Sequence, residues 1–276
     1  MVKKLFRITI SFLIFFWGFF TGNCVDILGL AASNDLSIRL KEKNNFKFLE
    51  NSDRDISFGT DYSFIVLSDT HIKDKDSWGL EKLANLIADS KGEIKFVVVT
   101  GDISQSGEEE EIKEFIKISR SFGVPCYPVI GNHDIFFNNW PFWKNLIGST
   151  SYKINGNGTT LFILDSANSY FGKEQIDWLE KEIKNVNGRV FVFTHANIFD
   201  DYQFNLQQVT DTDERARLLS ILHNKCDIMF MGHSHKRLIK EAGGVKYINI
   251  ENYNGSKTYL LVTVNNSGVG YKFKKL

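Results

Sequence analysis

Five short clusters able to do chemistry follow one another along the chain: Asp69-Thr70-His71, Gly101-Asp102, Gly131-Asn132-His133-Asp134, Thr194-His195 and Gly232-His233-Ser234-His235. Five of the six histidines lie in them, His223 being the exception. Carboxylate oxygens, an amide oxygen and imidazole nitrogens make a mixed donor set that suits borderline divalent cations. Asp-x-His and His-x-His each give two donors from one segment, and in extended backbone that spacing points both side chains to one side. Gly101 allows close backbone approach, and the Asp102 carboxylate could bridge two cations through its oxygens. Asn132 offers an amide oxygen, His133 would stand near a reacting group, and Asp134 could orient that imidazole.

Each cluster alone has a plainer reading. Gly-Asp after an apolar run is often a turn, Asn132 with Asp134 suits an Asx turn, and a lone His195 would be a satisfied structural residue. Their joint occurrence, each after a strand-like run, is what points to a metal centre.

The elements that must position these residues are legible as apolar runs. Strands are expected at 62–68, 94–100, 124–130, 160–165, 189–194 and 227–231, all continuous enough to be buried on both faces. Helices are expected near 78–90, 107–121, 173–186 and 212–224. Leu80, Leu83, Leu86 and Ile87 share a face of the first. Ser106 with Glu109 reads as a capping box for the second, whose acidic run Glu108 to Glu111 suits a helix start rather than a metal. Strands without helices follow at 245–250, 257–264 and 268–274. Asn254-Gly255 is a hairpin-turn signal, as is Asn155-Gly156 or Asn157-Gly158. Residues 61–276 therefore read as one domain, alternating β/α before a β-rich finish, with 34–60 as an irregular, tether-like lead-in.

With 33 basic and 33 acidic residues in 276, the net charge is zero, so no nucleic-acid partner is indicated. Three cysteines support no disulfide framework, and Cys126 and Cys226 read as buried free thiols. Residues 1–33 read as a leader: Lys3, Lys4 and Arg7 precede an uncharged run, Ile8 to Phe20, too short for an ordinary membrane span. An uncleaved anchor ranks below export, and two processed outcomes stay open. Thr21-Gly22-Asn23-Cys24 resembles the box before a lipoprotein cysteine, giving a lipid anchor to membrane through Cys24. Cleavage near Ala31-Ala32-Ser33 would release a soluble protein. Either way the expectation is export. No signal for oligomeric state was found in the sequence.

In this order the clusters resemble the calcineurin-like metallophosphoesterases, over roughly residues 62 to 250. The resemblance implies an α/β fold, a four-layer αββα sandwich with two central mixed sheets and helices outside. It implies two divalent metal ions, manganese, iron or zinc. By position, Asp69, His71, Asp102 and His235 would hold one, and Asp102, Asn132, His195 and His233 the other, with Asp102 shared. Two cations about 3.5–4 Å apart neutralise phosphate oxygens and acidify a bridging water, whose hydroxide attacks phosphorus in line. His133 is left outside both ligand sets as candidate general acid for the leaving oxygen, with Asp134 supporting it.

Departures narrow the branch. Protein serine/threonine phosphatases carry an arginine within the second block that Gln105-Ser106-Gly107 lacks. Purple acid phosphatases carry a tyrosine where Gln105 stands, and lipid A precursor hydrolases an arginine where His133 stands. The remaining resemblance is to cyclic-nucleotide phosphodiesterase-like and broad bacterial phosphoesterases acting on a small-molecule phosphate ester. Alternatives are a phosphomonoesterase of the same fold, or a non-catalytic exported binding protein retaining it. The aromatics in 135–143 and 198–204 could flank a base, a ring or a lipid chain, but packing is the favoured role for most of Phe136, Phe137, Trp140 and Trp143.

Overall fold

The structure is a computed structural model that describes residues 36–73, 79–156, 158–199 and 208–276. The leader with Cys24 and both processing points lies outside the described residues, as do residue 78 and residues 200–204.

In chain order the elements are α1 (Leu36–Leu40), α2 (Asn51–Arg54), β1 (Asp55–Ile56), β2 (Tyr62–Leu67), α3 (Leu80–Asp89), β3 (Ile94–Thr100) and α4 (Glu109–Arg120). Then come β4 (Cys126–Val129), a 3₁₀ segment (His133–Asn138), α5 (Trp140–Leu146), β5 (Tyr152–Gly156), β6 (Thr159–Ile163) and α6 (Lys173–Ile183). The chain finishes with β7 (Arg189–Phe193), α7 (Thr212–Leu222), β8 (Ile228–Met231), β9 (Leu238–Ala242), β10 (Val245–Asn249), α8 (Tyr253–Ser256), β11 (Thr258–Asn265) and β12 (Gly268–Lys275).

One sheet has the order β12-β11-β2-β3-β4, the other β1-β5-β6-β7-β8-β10-β9. In the first, β2, β3 and β4 run parallel and β11 and β12 antiparallel. In the second, β6, β7, β8 and β10 run parallel. Both sheets are therefore mixed, flanked by helices.

The apolar runs are buried on both faces for a definable reason. β7 sends Phe191 and Phe193 into the cluster between the sheets and Val190 and Val192 into the cluster under α6 and α7. β8 divides Ile228 and Phe230 from Met229 and Met231 in the same way. Between the sheets Phe64 stacks on Phe96 at 4.5 Å and meets Phe191 and Phe230 edge-on at 5.2 and 6.0 Å. Each such buried ring contributes about 1.5–3 kcal/mol. Ile176, Leu179, Leu218 and Leu222 cover the far face of the seven-stranded sheet.

Four expectations change. Residues 36–60 are no tether: Leu36, Leu40, Phe48, Leu49 and Phe58 are buried, and β1 adds a parallel edge to β5. Elements of two to five residues are too short to show a period. Asn254-Gly255 turns no hairpin; it sits in α8, where the chain crosses from β10 in one sheet to β11 in the other. Among the described residues the hairpins are β5–β6, where Gly156 pairs with Thr159, β11–β12, where Asn265 pairs with Gly268, and β9–β10. There Gly243 and Gly244, with φ of 58° and 74°, supply the left-handed pair that a two-residue turn demands. β9 escaped sequence reading because it is a mostly exposed edge strand without an apolar run. Finally, α4 starts at Glu109 rather than 107, and the carboxylate reaching back to the Glu108 N–H belongs to Glu111.

Candidate metal centre

Because β2, β3, β4, β7 and β8 run parallel within their sheets, each of the five clusters leaves the carboxyl end of a parallel strand. Ligands gather at such edges. The chain does not leave those strands in the extended form that the two-residue spacings suggested. Asp69, His71, Asp102, His233 and His235 all have left-handed φ, at 54°, 44°, 49°, 69° and 56°. It is this repeated left-handed conformation that aims each pair, and non-glycine residues hold it only where surroundings enforce it. Gly101 has φ of 92°, and any Cβ there would overlap the His195 ring.

All seven expected ligands converge. Nε2 of His235 is 3.1 Å and Nε2 of His71 is 3.9 Å from Oδ1 of Asp69, and the two nitrogens are 3.4 Å apart. Around Nε2 of His195 lie Asp102 Oδ2 at 3.2 Å, Asn132 Oδ1 at 3.0 Å and His233 Nδ1 at 3.0 Å. Oδ2 of Asp102 is also 3.9 Å from Nε2 of His71, so one oxygen stands between the two groups. A further trio, His71, Asp102 and His133, has donor atoms within 4.8 Å of one another.

The donors fit cations. Each carboxylate has one oxygen engaged and one facing inward. Oδ1 of Asp102 accepts the His133 N–H, and Oδ2 of Asp69 accepts the His233 N–H at 3.1 Å and the Ser68 hydroxyl. Oδ1 of Asp69 is buried yet accepts no well-formed hydrogen bond. Nδ1 of His195 donates to the Thr100 carbonyl at 2.9 Å, which turns the Nε2 lone pair toward the cluster. Lone pairs crowded this closely need a positive charge among them. Of the two Asp102 oxygens, Oδ1 is taken by the His133 N–H, and Oδ2 is the one that faces both His195 and His71.

Burial opposes ionisation of Asp102 and Asp69, but the surrounding imidazoles outweigh it and hold both carboxyls below their ordinary range. Burial likewise disfavours charge on His195, yet Asp102 raises its pKa to about 9. Burial together with the His195 charge lowers His233 to about 4, and burial lowers His71. His235 is raised by the Asp69 carboxylate 3.1 Å from its Nε2.

His133 is steered by an unforeseen partner. Its Nδ1 meets the Gln105 carbonyl at 2.6 Å, so the backbone rather than Asp134 orients the ring. Asp134 is fully buried and accepts from the N–H groups of Ser104 and Gly131 at 2.9 and 2.8 Å and from the Ser104 hydroxyl at 2.6 Å. It ties the second loop to the third, positioning His133 at one remove. Burial, then the charge of Asp102, pushes its pKa up to about 7. Trp140 and Trp143 are core, whereas Phe136 is half-buried and Phe137 exposed.

Three supporting residues carry no sequence signal. Asn249, buried at the end of β10, donates to the Ser234 hydroxyl at 2.8 Å and the Lys236 carbonyl at 2.7 Å, bracing the His-x-His turn. Ser166 accepts from Thr194 Oγ1 at 2.7 Å and from the Ala196 N–H at 2.8 Å, gripping both sides of His195. Beside it, Asp165 forms a fully buried ion pair with Arg39 of α1 at 2.7 Å.

A family model described as calcineurin-like phosphoesterase matches residues 62–237. A Fibrobacter succinogenes protein named "Probable cyclic nucleotide phosphodiesterase" is 23% identical over 192 residues, 62% of this chain and 72% of its own length. An Arcobacter nitrofigilis protein named "Probable glycerophosphodiester phosphodiesterase GpdQ" is 32% identical over 154 residues, 48% of this chain and 55% of its own. Among solved structures, a dimetal phosphatase from Danio rerio superposes with a TM-score of 0.61 at 13% identity, covering 78% of this chain and 99% of that one. A purple acid phosphatase from yellow lupin (Lupinus luteus) seeds gives 0.63 at 13% identity, covering 79% of this chain and 52% of that one. At such identity the structural likenesses speak for the fold alone.

Proposed function

The chain belongs to the calcineurin-like phosphoesterase family, and on that premise we propose that it is a phosphodiesterase dependent on two divalent cations held at the converged loops. The observation that carries this reading is Oδ2 of Asp102 lying between the His195 and His71 donor groups, at 3.2 and 3.9 Å. Asp69, His71 and His235 would hold one cation and Asn132, His195 and His233 the other, with Asp102 common to both. When bound, such a pair neutralises phosphoryl oxygens and lowers the pKa of water between them.

The chain's own residues supply the rest. Oδ1 of Asp102 and Oδ2 of Asp69, each fixed by a backbone N–H, keep their partner oxygens aimed inward. His133, with Nδ1 held by the Gln105 carbonyl, is left with Nε2 to pass a proton to the departing oxygen. The names of two relatives, one a cyclic nucleotide and one a glycerophosphodiester phosphodiesterase, support a diester over a monoester. Manganese, iron and zinc all suit these donors.

The test is hydrolysis of bis(4-nitrophenyl) phosphate and 4-nitrophenyl phosphate by protein loaded with each metal in turn. Faster turnover of the diester, lost in Asp102→Asn, is expected. A metal-replete protein inert toward a broad panel of mono- and diesters would overturn the reading and favour a binding protein. Export, with anchoring through Cys24 or release, forms part of the proposal and rests on Lys3, Lys4, Arg7 and the apolar run after them. Fractionation of cells producing wild type and Cys24→Ser checks it.

A further inference from the structure

A row of rings leads out of the candidate centre. His71 meets His133 edge-on with centroids 4.5 Å apart, His133 lies 4.3 Å from Phe136, and Phe136 meets Phe137 at 6.1 Å. The row starts on a candidate metal ligand and ends on a ring 49% exposed, one of three large hydrophobic side chains so exposed among the described residues.

Core packing does not explain its outer end. Trp140 and Trp143, just beyond, supply the buried anchors of this segment. Phe137 stays outside because it and Asn138 both adopt left-handed backbone, with φ of 53° and 64°. That conformation is rare for a bulky side chain and persists where the surroundings impose it. The surroundings do so here: the Asn139 N–H donates to the Phe136 carbonyl at 2.9 Å, and Asn139 Nδ2 donates to the Ser106 carbonyl at 3.0 Å. The segment is thereby pinned to the loop that carries Asp102. No lysine or arginine lies between His133 and Trp140, so the ledge offers ring faces rather than charge.

Resting on the phosphodiesterase reading, we propose that Phe136 and Phe137 form a ledge that selects esters whose departing alcohol or phenol carries a flat ring, an aryl group or a nucleoside. A group leaving with the proton of His133 lies against Phe136 first and Phe137 next. Stacking on an aromatic face tolerates any flat ring and is strong enough to set preference.

The test uses the full chain loaded with manganese, as wild type, Phe137→Ala and Phe137→Trp. Kinetics compare bis(4-nitrophenyl) phosphate and 3′,5′-cyclic AMP with glycerophosphocholine. Calorimetry compares phenylphosphonate with methylphosphonate, which need no turnover. Phe137→Ala is expected to raise KM for the ring-bearing esters roughly ten-fold with kcat within about two-fold, and to leave glycerophosphocholine unchanged. It should weaken phenylphosphonate by a similar factor but not methylphosphonate, and Phe137→Trp should restore both. An unaltered ring preference, or an equal loss for ringed and ringless ligands, overturns the ledge. A wild type that hydrolyses nothing sinks the esterase reading instead, and the phosphonate pair still decides the ledge.

Discussion

The backbone N–H of His133 donates to Oδ1 of Asp102 across 2.9 Å, so the carboxylate shared by two donor groups is fastened to the residue read as proton donor. On the proposed reading, proton delivery and cation binding would both rest on this one short contact between the second and third loops. Displacing either partner disturbs the other, and the disturbances differ in kind.

Asp102→Asn keeps the contact to His133 but exchanges the inward anionic oxygen for a neutral amide. Metal analysis is expected to fall from two cations per chain to one or fewer. Activity should drop by more than about 10²-fold, the upper range for merely supporting groups around a metal. Full occupancy with near-normal turnover would remove Asp102 from the centre.

His133→Ala retains the backbone N–H, so both cations should stay bound. kcat should fall by about 10²–10⁴-fold. The deficit should be largest for alkoxide leaving groups and smallest for 4-nitrophenolate, which departs without help. An equal deficit for both would assign His133 to binding.

Cation loading should tighten with rising pH. In the cation-free protein His195, raised to about 9 by Asp102, keeps its proton at neutral pH. Its folded pKa lies above the ordinary histidine value of about 6.5, so the His195–Asp102 attraction stabilises the fold fully below that pH and is lost as pH climbs through 9. A cation must expel the same proton, so affinity gains up to about ten-fold per pH unit across that window. Manganese titration between pH 6.5 and 9.5 checks the slope, and thermal unfolding of the cation-free protein checks the opposite trend in stability.

Arg39→Met strands Asp165 in a fully buried setting and should cost about 3–5 kcal/mol, read from urea unfolding. Pairing it with Asp165→Leu should recover much of that loss, because no uncompensated charge remains. Equal destabilisation by single and double variants would show that the ion pair is not the cause.

The apolar runs ending in Asp69, Asp102, Asn132, His195 and His233 made most of the fold and the list of clustered residues legible. Such runs are long, buried on both faces and closed by unusual polar groups. What stayed hidden was short or non-local. Arg39 meets Asp165 across 126 positions, and nothing near either residue announces the other. Gln105 acts on His133 through its carbonyl, which every residue possesses, so its side chain gave no clue. The expectation that Asp134 would hold the imidazole failed because Ser104 and Gly131 present closer donors. The left-handed backbone at Asp69 and His71 was equally invisible, since it is enforced by partners such as the Gly101 and Asp102 carbonyls.

The donors are split between the two sheets: Asp69, His71, Asp102 and Asn132 emerge from β2, β3 and β4, and His195, His233 and His235 from β7 and β8. On the proposed reading, a cation gripped by both sets would work as a staple through the sandwich. The unfolded chain, with these groups scattered from position 69 to 235, has no equivalent grip, so the metal concentration in the medium would become a dial on how firmly the two halves stay docked.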